Sequence, residues 1–242
     1  AAEPANMQDW SDFCAALVTR YGNKISHYQI WNEFDLANTF SGTNANMAMM
    51  TRLASQSIKA VNPDAKIVGP SISTVTTASD GGSAVQKMLS YFSTSDGSGG
   101  TALQWLDIVA VHMYAPSWIV SNWYQIPTQW ARVAGNVIPA IGPRTIWDSE
   151  MGMISVNLLT SGSTGDVYLA RRMLLNAIIG VSHSCFYDIY SGTDGLALDK
   201  DGSLVETWES VLDVLDSGPI TVANIINNEK LAITINGVNY LF

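Results

Sequence analysis

His27-Tyr28-Gln29-Ile30-Trp31, then Met47, Met50, Ala54, Ser57, Ile58 and Val61, then Lys66-Ile67-Val68: this stretch decides the fold. The first run reads as a strand, and the second carries apolar residues at helical spacing up to Asn62-Pro63. The third is a short buried strand closed by Gly69-Pro70. Strand, helix and strand in this order make the βα rhythm of a parallel sheet. Upstream, Trp10, Phe13, Cys14, Leu17, Val18 and Tyr21 mark one face of a helix ending at Gly22.

Downstream the rhythm continues. A helix over Ala84–Phe92 and a Gly/Ser loop over Ser93–Thr101 lead to a third strand, Leu106–Tyr114. A helix over Thr128–Val137 precedes a fourth strand, Thr145–Asp148, and the apolar helix Val167–Gly180 precedes a fifth, Cys185–Ile189. After a Gly/Asp loop over Gly192–Ser203, an amphipathic helix covers Val205–Leu215. Three β-rich runs close the chain: Ile220–Ile226, Leu231–Ile235 and Val238–Phe242, separated by the hairpin signals Asn227-Asn228-Glu229 and Asn236-Gly237. The expectation is an α/β protein with five βα units, a lone helix before them and three strands after. No Ser/Gly linker divides it, so residues 1–242 read as one domain, units over 1–218 and strands over 219–242.

The 242 residues are 47% hydrophobic, enough for a sizeable core, and 12 Lys+Arg against 21 Asp+Glu give a net charge of −9. Such an acidic surface excludes nucleic acid and anionic membrane as main partners. Only 14% of residues are charged, so much of the surface is neutral and hydrogen-bonding, which suits neutral sugars. The longest apolar runs fall short of the roughly 18 residues that a membrane-spanning helix needs. Residues 1–20 carry no basic start followed by an apolar run, so any signal peptide is expected to have been removed or never included. Low Lys content suits a secreted or periplasmic protein. Cys14 and Cys185 are too few for a disulfide scaffold and read as small buried hydrophobes.

Glutamate is scarce, with six in the chain, and two of them follow buried strands: Glu33 after Tyr28-Gln29-Ile30-Trp31-Asn32, and Glu150 after Thr145-Ile146-Trp147-Asp148-Ser149. A carboxylate at the C-terminal end of an apolar parallel strand costs desolvation, and in barrel folds such positions usually serve catalysis.

Trp31-Asn32-Glu33, Gly69-Pro70, His112-Met113-Tyr114 and Ile146-Trp147-Asp148-Ser149-Glu150-Met151-Gly152, each at a strand end, together resemble the fourth to seventh strands of clan A glycoside hydrolases, cellulase-like and β-xylosidase-like members above all. Gly195 to Ser203 resembles their connection after strand eight. The resemblance spans roughly residues 6–215. It implies a retaining mechanism with Glu33 as acid/base and Glu150 as nucleophile, carboxyl groups about 5–5.5 Å apart, one protonated and one ionised. Asn32 would hold the sugar 2-hydroxyl, and His112 and Tyr114 would hydrogen-bond around Glu150. Sugar rings stack on aromatic faces, for which Trp118, Trp123 and Tyr124 after the third strand and Tyr187 and Tyr190 at the fifth are the candidates.

Against a complete (β/α)₈ barrel of about 250 residues, the first three units are missing, and Phe186-Tyr187-Asp188-Ile189-Tyr190 stands where most members place a Trp. An open five-stranded sheet would expose apolar surface. The reading is therefore a truncated TIM-like barrel, (β/α)₅(β)₃, in which the three C-terminal strands complete the shortened barrel. The alternatives are closure by a second copy of the chain, as a homodimer, or a fragment that needs a partner polypeptide. The rival in function is a non-catalytic carbohydrate-binding relative.

Asp199-Lys200-Asp201-Gly202 lacks the later ligands of a calcium loop, and Ser161 to Gly165 lacks the strand and spacing of a nucleophile elbow. Nothing in the sequence has the spacing of a dinucleotide, phosphate or Cys/His metal motif. The expectation is no metal and no cofactor.

Overall fold

The computed structural model of the chain describes residues 2–73, 81–113, 131–151, 172–187, 203–227 and 230–241. In chain order the elements are α1 (Met7–Tyr21), β1 (His27–Gln29), α2 (Asn44–Val61), β2 (Lys66–Val68), α3 (Gly81–Ser93), β3 (Ile108–His112), α4 (Ile138–Ile141), β4 (Thr145–Met151), α5 (172–178), β5 (Val181–Phe186), α6 (Ser203–Asp216), β6 (Ile220–Asn227), β7 (Lys230–Ile235) and β8 (Val238–Leu241). No helix among the described residues is long and apolar enough to cross a membrane.

The first five strands form one sheet in the order β1-β2-β3-β4-β5. β1 pairs with β2 in parallel, with Tyr28 beside Ile67, and β2 pairs with β3 in parallel, with Val68 beside Ile108. A doubly wound sheet reverses its strand order at a switch point, whereas a barrel adds each strand on the same side of the last. This order never reverses. The fold is α/β, a truncated TIM-like barrel with five strands of βα units in one sheet and the three C-terminal strands in another. β3 is buried at all five positions, as a central parallel strand must be.

Most boundaries shift from the sequence reading; β1 stops at Gln29 instead of Trp31, β3 spans Ile108–His112, and the larger changes fall on the next strands and the segment before them. β4 extends three residues further than Asp148, so Glu150 lies inside the strand. β5 begins four residues before Cys185 and ends at Phe186. The helical segment expected to stop at Val137 continues through a π-turn over Val133–Val137 into α4, with Pro139 accommodated in its first turn. Both cysteines are free; Cys14 is buried, but Cys185 is exposed. Cys185 lies on the last strand in the sheet order, where Ser182 and His183 are exposed as well, so the expectation of burial fails there.

The chain divides into two compact units, Ala1–His112 with Gly135–Trp147, and Met113–Ala134 with Asp148–Phe242. In the second unit, β6, β7 and β8 form an antiparallel three-stranded sheet with Ile235 beside Val238. Asn236 and Gly237, at φ 50° and 80°, make the two-residue turn whose positive φ values match the strands' twist. Ile233 and Ile235 are buried on one face of β7.

In the first unit, α1 packs on α2, and the Trp10 indole N–H donates to the Met50 carbonyl at 2.9 Å. Cys14 and Val18 are buried on α1, and Met47, Met50, Ala54 and Ile58 on α2. Phe13, on the predicted apolar face of α1, is 57% exposed and stacks on Trp10 instead of entering the core. Each fully buried large apolar side chain contributes about 1.5–3 kcal/mol. The loop after α3 is organised by the buried carboxylate of Asp96. Its Oδ1 accepts from Ser98 N (2.7 Å), Ser98 Oγ (2.8 Å) and Gly100 N (3.3 Å), and its Oδ2 from Gln104 Nε2 (3.1 Å) and Trp105 Nε1. Burial pushes the carboxyl upward, but the hydrogen bonds from Trp105, Ser98 and Gly100 outweigh it and hold Asp96 below the usual carboxylate range. A group whose acidity is strengthened by folding stabilises the fold above its unfolded pKa of about 3.9 and loses that contribution as pH falls through the folded value. Asp96→Asn is therefore expected to lower the melting temperature by several degrees at pH 7. The gap between variant and wild type should narrow below about pH 4, as read from thermal unfolding at a series of pH values.

Candidate active site

Beyond the last paired residues of β1 and β2, the ladder continues into the loops. Ile30 N donates to Val68 O at 3.1 Å, Ser71 N to Trp31 O at 3.4 Å, and Phe34 N to Ser71 O at 3.1 Å. Between these bonds the chain turns at Asn32 and Glu33. Glu33 has φ 45°, in the left-handed region, which costs a non-glycine residue about 1–2 kcal/mol. Its backbone N–H donates to Ser71 Oγ at 3.1 Å, and its carbonyl accepts from Leu36 N at 3.1 Å and from the Thr39 hydroxyl. The loop beyond is held too: Asp35 accepts from Ser73 N and Oγ at 2.8 and 2.6 Å, and Lys87 Nζ donates to Phe34 O at 2.8 Å.

Glu33 Oε1 lies 3.0 Å from His112 Nδ1. The histidine side chain is 1% exposed and that of the glutamate 19%, so the carboxyl group reaches the surface from a buried support. His112 is itself fixed at the end of β3, where its backbone N–H donates to Ile72 O at 3.1 Å. Trp31 supports the turn from the other side. Its indole N–H donates to Thr39 O at 3.2 Å, and its ring meets Trp10 and Phe40 edge-on at 6.1 and 5.7 Å.

In the second unit, Glu150 sits half-buried in β4, two residues after the fully buried Asp148. Asp148 Oδ1 accepts from Met113 N at 3.0 Å, and Oδ2 accepts from Asn176 Nδ2 at 3.0 Å and lies 3.6 Å from Arg172 Nη2 on α5. Asn176 Nδ2 also donates to Ser184 Oγ on β5 at 2.7 Å. A buried charge pair is tolerated only where such additional hydrogen bonds satisfy it. The strand bearing Glu150 is thus anchored to both α5 and β5. Tyr187, 49% exposed just past β5, donates its backbone N–H to Met151 O at 2.8 Å, which puts an exposed aromatic ring one residue along from Glu150.

Of the residues singled out by sequence, Asn32, Glu33 and His112 come together in the first unit, and Glu150 and Tyr187 stand at neighbouring strand ends in the second. Tyr114, Trp118, Trp123, Tyr124 and Tyr190 lie outside the described residues. His112 bonds Glu33 through Nδ1. Sequence reasoning missed Ser71 and the Asp148–Arg172–Asn176 cluster. Signals for both exist: a polar residue straight after the strand end Gly69-Pro70, an Asp within Ile146-Trp147-Asp148, and an Arg inside the apolar helix 167–180.

The sequence matches no family model and no curated protein. Among solved structures the chain is similar to a glucosidase from Croceicoccus marinus, with a TM-score of 0.66 and 16% identity over 96% of this chain and 49% of that one. It is similar to a family 39 glycoside hydrolase from the gut symbiont Bacteroides cellulosilyticus WH2 (TM-score 0.65, 15% identity, 98% and 51%). It is also similar to a monomeric β-xylosidase from Caulobacter crescentus CB15 (0.61, 14%, 96% and 51%). At these identities the likeness is one of fold: the chain has the architecture found in these glycoside hydrolases and spans about half their length.

The buried pair behind β4 carries a stability consequence. Removing one partner of such a pair typically costs about 3–5 kcal/mol, and Asp148→Ala also strips the acceptor from Met113 N and Asn176. Urea unfolding of Asp148→Ala is expected to show a loss of that order, while the double replacement Asp148→Leu with Arg172→Met should lose much less.

Proposed function

We propose that this chain is a retaining glycoside hydrolase that cleaves neutral β-linked glycans of glucan, xylan or mannan type by double displacement. Glu33 is the acid/base and Glu150 the nucleophile. The observation that carries this reading is the strained, surface-reaching Glu33 carboxyl held by a buried histidine at the C-terminal end of a barrel-like strand. Non-glycine residues in the left-handed region persist where surrounding structure over-determines them, and they cluster at active sites. The fold shared with a glucosidase, a family 39 enzyme and a β-xylosidase supports the same reading.

In this mechanism His112 Nδ1–H donates to Glu33 Oε1, leaving Oε2 to give its proton to the glycosidic oxygen as the bond to the anomeric carbon breaks. Glu150 attacks that carbon from the opposite face, forming a glycosyl-enzyme. Water, activated by the now ionised Glu33, then releases the sugar with its original configuration. Asn32 binds the 2-hydroxyl, where hydrogen bonds strengthen in the transition state, and Tyr187 offers a stacking face. A net charge of −9 disfavours acidic sugars. Action on such glycans suits a secreted or periplasmic protein, working as one catalytic domain over 1–242 without a cofactor. The half-length match favours one rival, an active site that needs a second polypeptide, either another chain or a second copy. Turnover of aryl β-glycosides by the purified chain separates the two.

Glu150→Ala should lose at least about 10³-fold in kcat, in line with what covalent catalysis by a positioned group supplies, and azide should restore turnover by attacking from the vacated face. Near-normal activity without azide would remove Glu150 from the mechanism. Glu33→Ala is expected to spare 2,4-dinitrophenyl glycosides, which need no protonation to leave, and to lose about 10²–10⁴-fold on natural glycans, the range of general acid catalysis. Equal loss on both substrates counts against the acid role.

A further inference from the structure

We infer that Ser71 is the positioning residue of this site: its hydroxyl sets the backbone of Glu33 and the amide of Asn32 at once. The inference rests on the reading of Glu33 as acid/base and adds to it a residue outside the substrate's reach.

Ser71 is fully buried just past the end of β2. A serine hydroxyl offers one donor and two acceptor sites, and here all three face one segment. Oγ accepts from Glu33 N at 3.1 Å and from Gln29 Nε2 at 3.3 Å, and it donates to Asn32 Oδ1 at 3.3 Å. The first bond gives a partner to the N–H of the one residue in the turn with a left-handed backbone. Buried N–H groups are almost never left unpaired, so this bond fixes the direction in which the Glu33 side chain leaves the turn. The third bond uses the carbonyl oxygen of Asn32 and turns its Nδ2 hydrogens outward as donors, the polarity needed to hold a sugar hydroxyl oxygen. The backbone of Ser71 separately bonds Trp31 O and Phe34 N, so the strand connection does not depend on the hydroxyl. Gln29 Nε2 also donates to Trp31 O at 3.1 Å, which closes the ring of contacts around the turn.

Alanine at this position therefore deletes the orienting bonds while leaving the main-chain ladder in place. The full chain carrying Ser71→Ala, and separately Ser71→Cys, would be assayed beside wild type and Glu33→Gln for kcat/KM on phenyl and 2,4-dinitrophenyl β-D-xylosides and β-D-glucosides. Melting temperatures would be recorded for all four proteins. The phenyl leaving group needs the acid and the dinitrophenyl group does not. Ser71→Ala is expected to slow both substrates through the released Asn32 amide and, beyond that shared loss, to lose about tenfold or more on the phenyl substrate alone, a part of the ~10²–10⁴ that general acid assistance supplies. Ser71→Cys, with a weak sulfur acceptor, should fall between. Loss of equal size on both leaving groups, or no loss, in the folded variants overturns the role of Ser71 when Glu33→Gln still shows the selective loss. Equal loss in Glu33→Gln, or wild type inert on every substrate, instead overturns the acid reading of Glu33.

Discussion

A charged side chain can stand at the end of a buried parallel strand only if hydrogen bonds replace the water it gives up, and the rest of this structure is arranged around that requirement. Glu33 meets it directly, with His112 against its carboxyl and the Ser71 and Thr39 hydroxyls on its main chain. Asp148, in the second unit, meets it in full burial. Two residues before Glu150, it takes bonds from Met113 and Asn176 and faces Arg172 inside the core. Polar groups that would be liabilities in a purely apolar interior become the fixtures of the strand ends that carry Glu33 and Glu150.

Strand order serves the same end. Because β1, β2 and β3 are adjacent and parallel, their C-terminal ends fall on one side, and short hydrogen-bonded connections at Ser71 and His112 continue the sheet past the strands themselves. At the opposite end, Asp107 just before β3 accepts from Ile67 N at 2.8 Å and pairs with Lys59 of α2 at 2.8 Å. One end of the sheet is thus devoted to fastening helix to strand and the other to presenting side chains. This is the division of labour seen in βα barrels, where stability and chemistry occupy opposite rims.

Much of this was legible from residue pattern. The alternation of apolar runs and helical spacing located the described strands, β5 only by its last two residues, and the Asn236-Gly237 pair located its hairpin. Helix α2 obeyed its caps, with Thr43 before it and Asn62-Pro63 after. What was not legible depends on contacts distant in sequence. Nothing in Trp31-Asn32-Glu33 announces a left-handed glutamate, since that conformation is imposed by bonds from Ser71 and Thr39 rather than by a glycine. The extension of β4 through Glu150 and the early start of β5 likewise follow from pairing with neighbours, which period-2 pattern alone does not register. Phe13 fits the helical stripe of α1 yet lies in the open, stacked on Trp10, whose indole reaches the Met50 carbonyl.

The two thiols make unlike chemical handles. Cys14 is shut in the first unit, where burial pushes it up to about 11, and little thiolate forms there at neutral pH. Cys185 stands in the open on β5, two positions before Tyr187, with an upward push from partial burial and from the Asp148 charge. Reagents added at mildly alkaline pH would reach one sulfur and spare the other. A fluorophore or spin probe could thereby be installed beside the exposed tyrosine without engineering the sequence, turning an incidental side chain into a native reporter for the saccharide binding proposed above.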